Sequence, residues 1–230
     1  MIGRFALACL DMAGTTVRDD GAVDAAFAAA LDAVGVTPGS PRRAAAARVV
    51  RETMGWSKAD VFAKLLDPAD AARATAAFAA AYETLVVAGS VTPLPGALDV
   101  LRALRASGVK VCLTTGFAPS TRDALLAALG WGSEVDLALS PADVGRGRPA
   151  PDMVLGAMAR LGVAAPDAVV VVGDTGTDLE AGTAAGAGAV VGVLSGAHDE
   201  AQLEAAPHTA ILPDVSGLLA LLEQTCHHQA

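Results

Sequence analysis

The sequence predicts an α/β fold, a doubly wound parallel sheet with an α-helical domain inserted after its first strand. Three observations predict it. Short buried apolar runs alternate with helical stretches through the second half of the chain, the pattern of βαβ units. From about Ala22 to Ala88 there is no strand candidate, only apolar residues at helical spacing. Carboxylates and hydroxyls fall where the apolar runs end, and open α/β sheets bind ligands outside the carboxyl ends of their strands.

Ile2 to Leu10 reads as the first strand and runs into Asp11-Met12-Ala13-Gly14-Thr15-Thr16. Asp11 breaks the apolar run at once and no small-residue cleavage site follows, which fits a core strand better than a signal peptide. In the helical region Phe27, Leu31 and Val34, then Val61, Leu65 and Leu66, recur at helical spacing. Thr37-Pro38-Gly39-Ser40-Pro41 and Asp67-Pro68 divide it, and Ser90 to Gly96, with Pro93 and Pro95, closes it. Next come a helix ending at Gly108 and a strand from Val109 to Leu113, then a helix ending near Gly130 and a short strand from Val135 to Leu139. A helix from Pro151 to Leu161 precedes a strand from Ala168 to Val172, which ends at Gly173-Asp174; a helix and the strand Ala189 to Val193 follow. Residues 1–18 and 92–230 are thus expected to form the core and 19–91 a helical cap, hinged on linkers near Val17–Gly21 and Ser90–Pro95.

Composition bounds the partners. The 230 residues are 53% apolar but only 3% aromatic, and 53 are alanine, so the interior is aliphatic and finely packed. A net charge of −9 argues against nucleic acid or an anionic membrane as the main partner. No apolar stretch reaches the roughly 18 residues a spanning helix needs. Cys9 and Cys112 lie in apolar runs and Cys226 near the end, which reads as inert thiols in a reducing cytoplasm; His227 and His228 read as a solvated tail. Only three of the sixteen basic residues are lysine: Lys58, Lys64 and Lys110.

The polar strand ends carry the chemistry. Asp11 ends the first strand and Thr114-Thr115-Gly116 the second; Asp174 and Asp178 follow the fourth, with Arg146-Gly147-Arg148-Pro149 in the loop before it. Carboxylates beside hydroxyls and a guanidinium suit Mg²⁺ and a phosphoryl group: Mg²⁺ takes one or two carboxylates plus substrate oxygens, and arginine forks onto phosphoryl oxygens.

In this order the residues resemble the haloacid dehalogenase superfamily of aspartate-nucleophile phosphotransferases, along the whole chain and with the Rossmann-like core and inserted cap of that family. The resemblance implies that Asp11 attacks phosphorus and that Thr114, or its neighbour Thr115, and Arg148 hold the phosphoryl oxygens. It implies Mg²⁺ on Asp11, the carbonyl of Ala13 and Asp174, with Asp178 either a further ligand or a residue that holds one in place. Family phosphatases carry a general acid two positions after the nucleophile, and here that position is Ala13, which cannot move a proton.

Met54-Gly55-Trp56-Ser57-Lys58 bears on that gap. By itself it reads as a helix start, with Ser57 as cap and Lys58 as a first-turn charge. Together with D-x-A-G-T-T and G-R-P it resembles the phosphonatase branch, in which a cap lysine forms a Schiff base with the substrate carbonyl, so that the carbon leaves as an enamine. The branch implies substrate contacts at Gly14, Thr15, Met54, Gly55, Thr115, Gly116 and Phe117, a small anionic organophosphonate as substrate and a homodimer paired through the cap. Val61 stands where the branch has a histidine, and Phe117 where it has a tyrosine. The expected activity is Mg²⁺-dependent C–P cleavage of a 2-oxoalkylphosphonate; a phosphatase for activated leaving groups and a silent phosphoryl-ligand binder remain open.

Overall fold

The computed structural model describes residues 4–227; Ile2 and Gly3 of the expected first strand, and the side-chain readings of Cys226, His227 and His228, lie outside the described residues. The chain opens on β1 (Leu7–Asp11), buried along its length. A short strand β2 (Val17–Arg18) leads into four helices, α1 (Ala22–Ala33), α2 (Pro41–Glu52), α3 (Lys58–Leu65) and α4 (Pro68–Val87), before β3 (Thr92–Pro93) brings the chain back. The core continues through α5 (Ala97–Ala106), β4 (Lys110–Thr114), α6 (Pro119–Leu129), β5 (Leu137–Leu139), α7 (Asp152–Leu161) and β6 (Val169–Gly173). It ends with α8 (Gly176–Ala184), β7 (Ala189–Val193), α9 (Glu200–Glu204), β8 (Ala210–Leu212) and α10 (Leu218–His227).

Six strands form one parallel sheet in the order β5-β4-β1-β6-β7-β8. The chain builds outward from β1 through β4 to β5, then returns to the other side of β1 with β6. That reversal gathers the carboxyl ends of β1, β4 and β6 at one crevice, the place where such sheets bind ligands. Helices cover both faces, so β1, β6 and β7 are buried throughout and read as continuous apolar runs.

Several details differ from the sequence reading: β1 begins at Leu7, so residues 4–6 of the expected first strand lie outside it. Several strands run one residue further toward the crevice: Asp11 pairs with Thr114 as the last rung of β1 and β4, and β6 reaches Gly173. β5 is shorter than expected because the Asp136 carboxylate takes the Val111 N–H at 2.8 Å and so occupies the ladder's first position. β8 is an added edge strand; three residues are too few to show a period.

The helical region is entered and left through one ribbon, in which β2 and β3 pair antiparallel, Val17 with Pro93 and Arg18 with Thr92. Three of its four helices start on side-chain caps: Ser40 on Arg43 N–H, Ser57 on Asp60 N–H, and Asp67 on the N–H groups of Ala69 and Asp70. Phe27, Phe62, Phe78 and Tyr82 pack inside it, with ring centroids 4.9 Å apart for Phe27–Phe78 and 5.3 Å for Phe27–Phe62. Phe117, on the loop after β4, completes the cluster 4.5 Å from the Tyr82 ring. A chain with eight aromatic residues thus gathers five in one cluster, whose tilted Phe78–Phe117 and Tyr82–Phe117 pairs form the seam with the core. Tilted ring pairs add roughly 0.5–1.5 kcal/mol each beyond burial, so the seam holds the cap down.

Cys9 and Cys112 are neighbours across β1 and β4, both buried and free. Their mutual hydrogen bond and burial push the Cys112 thiol well above the ordinary thiol range, which leaves it inert. Among the described residues no helix is long and apolar enough to cross a membrane.

Candidate active site

Arg148 organises the crevice. Its Nη1 lies 2.6 Å from Asp11 Oδ1 and its Nε 2.8 Å from Asp178 Oδ1, while Nη2 donates to Thr114 Oγ1 at 2.7 Å. All four residues are buried. The supporting loop is rigid: Ser140 and Asp143 form a reciprocal cap, and Arg122 from α6 places Nη1 2.5 Å from Asp143 Oδ2. A planar fork can serve three acceptors in fixed directions; a lysine ammonium is a point charge and cannot. Arg148→Lys is therefore expected to lower the melting temperature by several degrees. Each lost charge-assisted hydrogen bond is worth about 1.5–3 kcal/mol, and 1 kcal/mol is about 2–4 °C in a chain of this size. A melting curve unchanged from wild type would contradict this role.

The remaining acids are held by backbone. Asp174 follows β6, and its Oδ2 accepts from Ala197 N–H at 2.7 Å while Oδ1 accepts from the Thr15 hydroxyl at 3.2 Å. Gly14, at φ +92°, passes so close that a Cβ would overlap the Asp174 carboxylate, and a Cβ on Gly196 would overlap it too. Asp178 stands in the first turn of α8, where its Oδ2 accepts from the backbone and hydroxyl of Thr175 at 3.2 and 2.5 Å. Three carboxylates thus share one buried guanidinium. Burial pushes Asp11 up to about 6, Arg148 opposes it and Asp178 adds to it; burial, then Asp11 and Asp178, push Asp174 well above the carboxylate range.

That excess of buried negative charge is the test of a metal. Among the described residues no three acidic, histidine or cysteine side chains are already gathered on one point, because Arg148 stands between Asp11 and Asp178. The donors are nevertheless all oxygen and all hard, and a divalent cation would offset the charge that one guanidinium leaves uncompensated. The residues present fit Mg²⁺.

Lys58 faces this cluster from the cap. It is the first residue of α3, capped by Ser57, and its backbone N–H donates to Gly116 O at 3.2 Å. Thr177 Oγ1 donates to Met54 O at 3.3 Å, on the other side of the same turn. Glycine is required at both approaches: a Cβ on Gly55, at φ +83°, would strike the Thr175 and Thr177 hydroxyls, and one on Gly116 would sit 2.6 Å from the Trp56 carbonyl. The Lys58 ammonium lies 5.4 Å from the ring centres of Phe27 and Phe117 and 5.8 Å from that of Phe78. Burial lowers it to about 8, helped by Arg148 and opposed by Asp11, Asp19 and Asp174.

Asp11, Lys58, Arg148, Asp174 and Asp178 line one cavity of about 450 Å³. Ala13, Gly14, Met54, Gly55, Thr115, Gly116 and Phe117 line it too. Two expected residues face elsewhere. Thr15 is fully buried and gives its hydroxyl to Asp174, and the Thr114 hydroxyl is taken by Arg148, so it is Thr115 that meets the cavity. Lys64 rests over the Trp56 ring and Lys110 lies 3.9 Å from Asp136, both away from the site. Ser195, which donates to Gly14 O at 2.7 Å, and Ala197 were not legible in the sequence, since one is a common loop serine and the other acts through its backbone. Phe78 was legible in principle: in a chain so poor in aromatics, rings at helical spacing mark the one place where large side chains are needed.

Residues 5–186 match the family model described as haloacid dehalogenase-like hydrolase. A phosphonoacetaldehyde hydrolase of Bacteroides fragilis is 35% identical over 133 residues, 57% of this chain and 50% of that protein, so the chain spans about half the length of that relative. A probable phosphatase, IndB of Dickeya dadantii, is 33% identical over 215 residues, 91% of this chain and 90% of that protein. Among solved structures, a hydrolase from Pseudomonas syringae superposes with a TM-score of 0.82 at 28% identity, over 95% of this chain and 98% of that one. A phosphonoacetaldehyde hydrolase-like protein from Oleispira antarctica shares the fold, with a TM-score of 0.83 at 24% identity over 98% and 94% of the two chains.

Proposed function

The chain belongs to the haloacid dehalogenase-like hydrolases, and from that premise we propose that it cleaves the carbon–phosphorus bond of a 2-oxoalkylphosphonate, phosphonoacetaldehyde or a relative. One observation carries the reading: a lysine amine held among three phenyl rings faces a buried aspartate across one cavity, beside an alanine where a phosphatase would keep its acid.

The neutral Lys58 amine adds to the substrate carbonyl and water leaves, giving an iminium. Asp11 attacks phosphorus, the C–P bond breaks, and its electron pair passes into the iminium to give an enamine. The carbon side therefore departs without protonation from position 13. Arg148 and Thr115, which line the cavity, take the phosphoryl oxygens in this reading; the Thr115 hydroxyl accepts from Phe117 N–H at 3.2 Å and keeps its own proton to donate. Water then hydrolyses the aspartyl-phosphate, and protonation and hydrolysis of the enamine free Lys58. Asp11, Asp174, Asp178 and the Ala13 carbonyl would hold Mg²⁺, which when bound supplies charge stabilisation to the phosphoryl oxygens. The cap excludes water from the reacting centre.

With a value near 8 about a tenth of Lys58 is neutral at pH 7, against less than roughly one part in a thousand for an ordinary lysine. Borohydride trapping of the protein with phosphonoacetaldehyde is thus expected to rise about tenfold per pH unit below 8 and to flatten above it. A rise continuing unbroken to pH 10 would show an untuned amine and count against the reading. The direct test is phosphate release from phosphonoacetaldehyde with Mg²⁺, abolished by a chelator and restored by the metal. A second reading, a phosphatase for activated esters, is favoured by the near-full-length match to IndB. Release of phosphate from p-nitrophenyl phosphate but not from phosphonoacetaldehyde would select it.

A further inference from the structure

Lys58 borders two cavities. Beside the 450 Å³ phosphoryl cavity lies a second, of about 130 Å³, between α3 and α4 of the cap and the start of α6; Lys58, Gly116 and Phe117 line both. We propose that this second cavity receives the substituent on the far side of the substrate carbonyl, and that the substituent is a short alkyl chain. The preferred substrate is then a ketone, R–CO–CH₂–PO₃, rather than the aldehyde. This rests on the Schiff-base reading above and deepens it.

Position supplies the first argument. A carbonyl carbon bonded to the Lys58 nitrogen has two carbon-side directions. One leads through the methylene to phosphorus and Asp11; the other, occupied by hydrogen in an aldehyde and by carbon in a ketone, is free for whatever adjoins the lysine on its other side.

The lining supplies the second. Ala59, Phe78, Ala79, Phe117, Ala118 and Pro119 present carbon. Three hydroxyls also border the cavity, and each is already committed: Ser57 donates to Asp60 at 2.6 Å, Thr75 to Ala71 O at 2.8 Å, and Thr121 to Glu83 at 2.9 Å. Lys58, which would be consumed in the imine, is the only cation on this wall among the described residues. No side-chain hydroxyl on this wall is left to pair a carboxylate, which would be stripped of much of its water, whereas each buried methylene is favourable. In the phosphoryl cavity a carboxylate fares little better. Asp19, Asp20 and Asp24 line that cavity together with Arg18.

Size supplies the third. An apolar cavity of about 150 Å³ takes a benzene molecule, so 130 Å³ has room for a chain of three or four carbons.

The test is kcat/KM for phosphate release from 2-oxopropyl-, 2-oxobutyl- and 2-oxopentylphosphonate, with phosphonoacetaldehyde and 3-phosphono-2-oxopropanoate alongside. Ketones are compared with each other because they share one electrophilicity. The expected result is a rise of about fourfold per added carbon. The carboxylate analogue should fall about a hundredfold or more below the best ketone. Ala79→Leu, which fills the cavity from α4, should flatten the rise across the series. A flat or falling ketone series in protein that turns over phosphonoacetaldehyde overturns the alkyl subsite and leaves the C–P reading standing, as does preference for the carboxylate. Phosphate from none of the five overturns both. The wild-type series decides the matter even if the leucine variant fails to fold.

Discussion

Lys58→Arg is expected to abolish C–P cleavage, lowering kcat for phosphate release from phosphonoacetaldehyde on the order of 10⁴-fold or more, because a guanidinium has no free amine to condense with a carbonyl. The charge survives the exchange, so a purely electrostatic role for Lys58 would lose far less. Turnover of p-nitrophenyl phosphate, which needs no imine, should change by comparison little. Equal loss on both substrates would assign Lys58 to phosphoryl binding and remove the reason for the enamine. The same lysine is a burden on the fold. Its value in the folded chain, about 8, lies below that of the unfolded chain, so the unfolded state binds more protons between pH 8 and about 10.5 and stability rises with pH across that window.

Asp11→Asn is the second large effect, expected to lower phosphate release on the order of 10⁵-fold or more through loss of the nucleophile. The fold should respond in the opposite direction. Asp11 is pushed up from 3.8 to about 6, chiefly by burial, so between those values the folded chain holds a proton that the unfolded chain has released. Stability without metal is therefore lost as pH rises from about 4 to 6, and above 6 the full cost of a buried charge is present. Asparagine keeps an oxygen for Arg148 and carries no charge. The variant should melt several degrees above wild type at pH 7 in chelator, and the difference should vanish below pH 4. A variant that melts lower at pH 7 would show that Asp11 is stabilised by Arg148 more than it is harmed by burial. Such a trade of stability for activity is common where charges are concentrated for catalysis.

The fold was legible because its signals are local and strong. Apolar runs such as Val169 to Val172 are read directly, and the change from strand–helix alternation to uninterrupted helix marks the cap without any tertiary knowledge. Asp11 and Asp174 were legible for a related reason: each is the first polar residue after an apolar run that fixes a strand end at the crevice, whereas Asp178, four residues further on in α8, was legible through the resemblance. Which threonine meets the cavity was not legible. Thr114 and Thr115 differ by one step in a strand whose side chains alternate, and the end of β4 had to be known to a single residue to tell them apart. Nor was the threefold grip of Arg148, since nothing local says that a loop arginine will reach Asp11, Asp178 and Thr114 together. The setting of Lys58 is a long-range property of the same kind. Its neighbours Phe27, Phe78 and Phe117 come from two helices and a core loop far apart in sequence.

The central claim is that Lys58 bonds covalently to the substrate carbon while Asp11 takes the phosphorus. Borohydride reduction of the protein with phosphonoacetaldehyde and Mg²⁺, followed by peptide mass mapping, tests it most directly. The account predicts one modified residue, Lys58, carrying an ethyl group where C–P cleavage preceded reduction, and a phosphonoethyl group in the Asp11→Asn variant, where it cannot. Phosphate release at full rate with no modification of Lys58, or an adduct spread over Lys64 and Lys110, would contradict it.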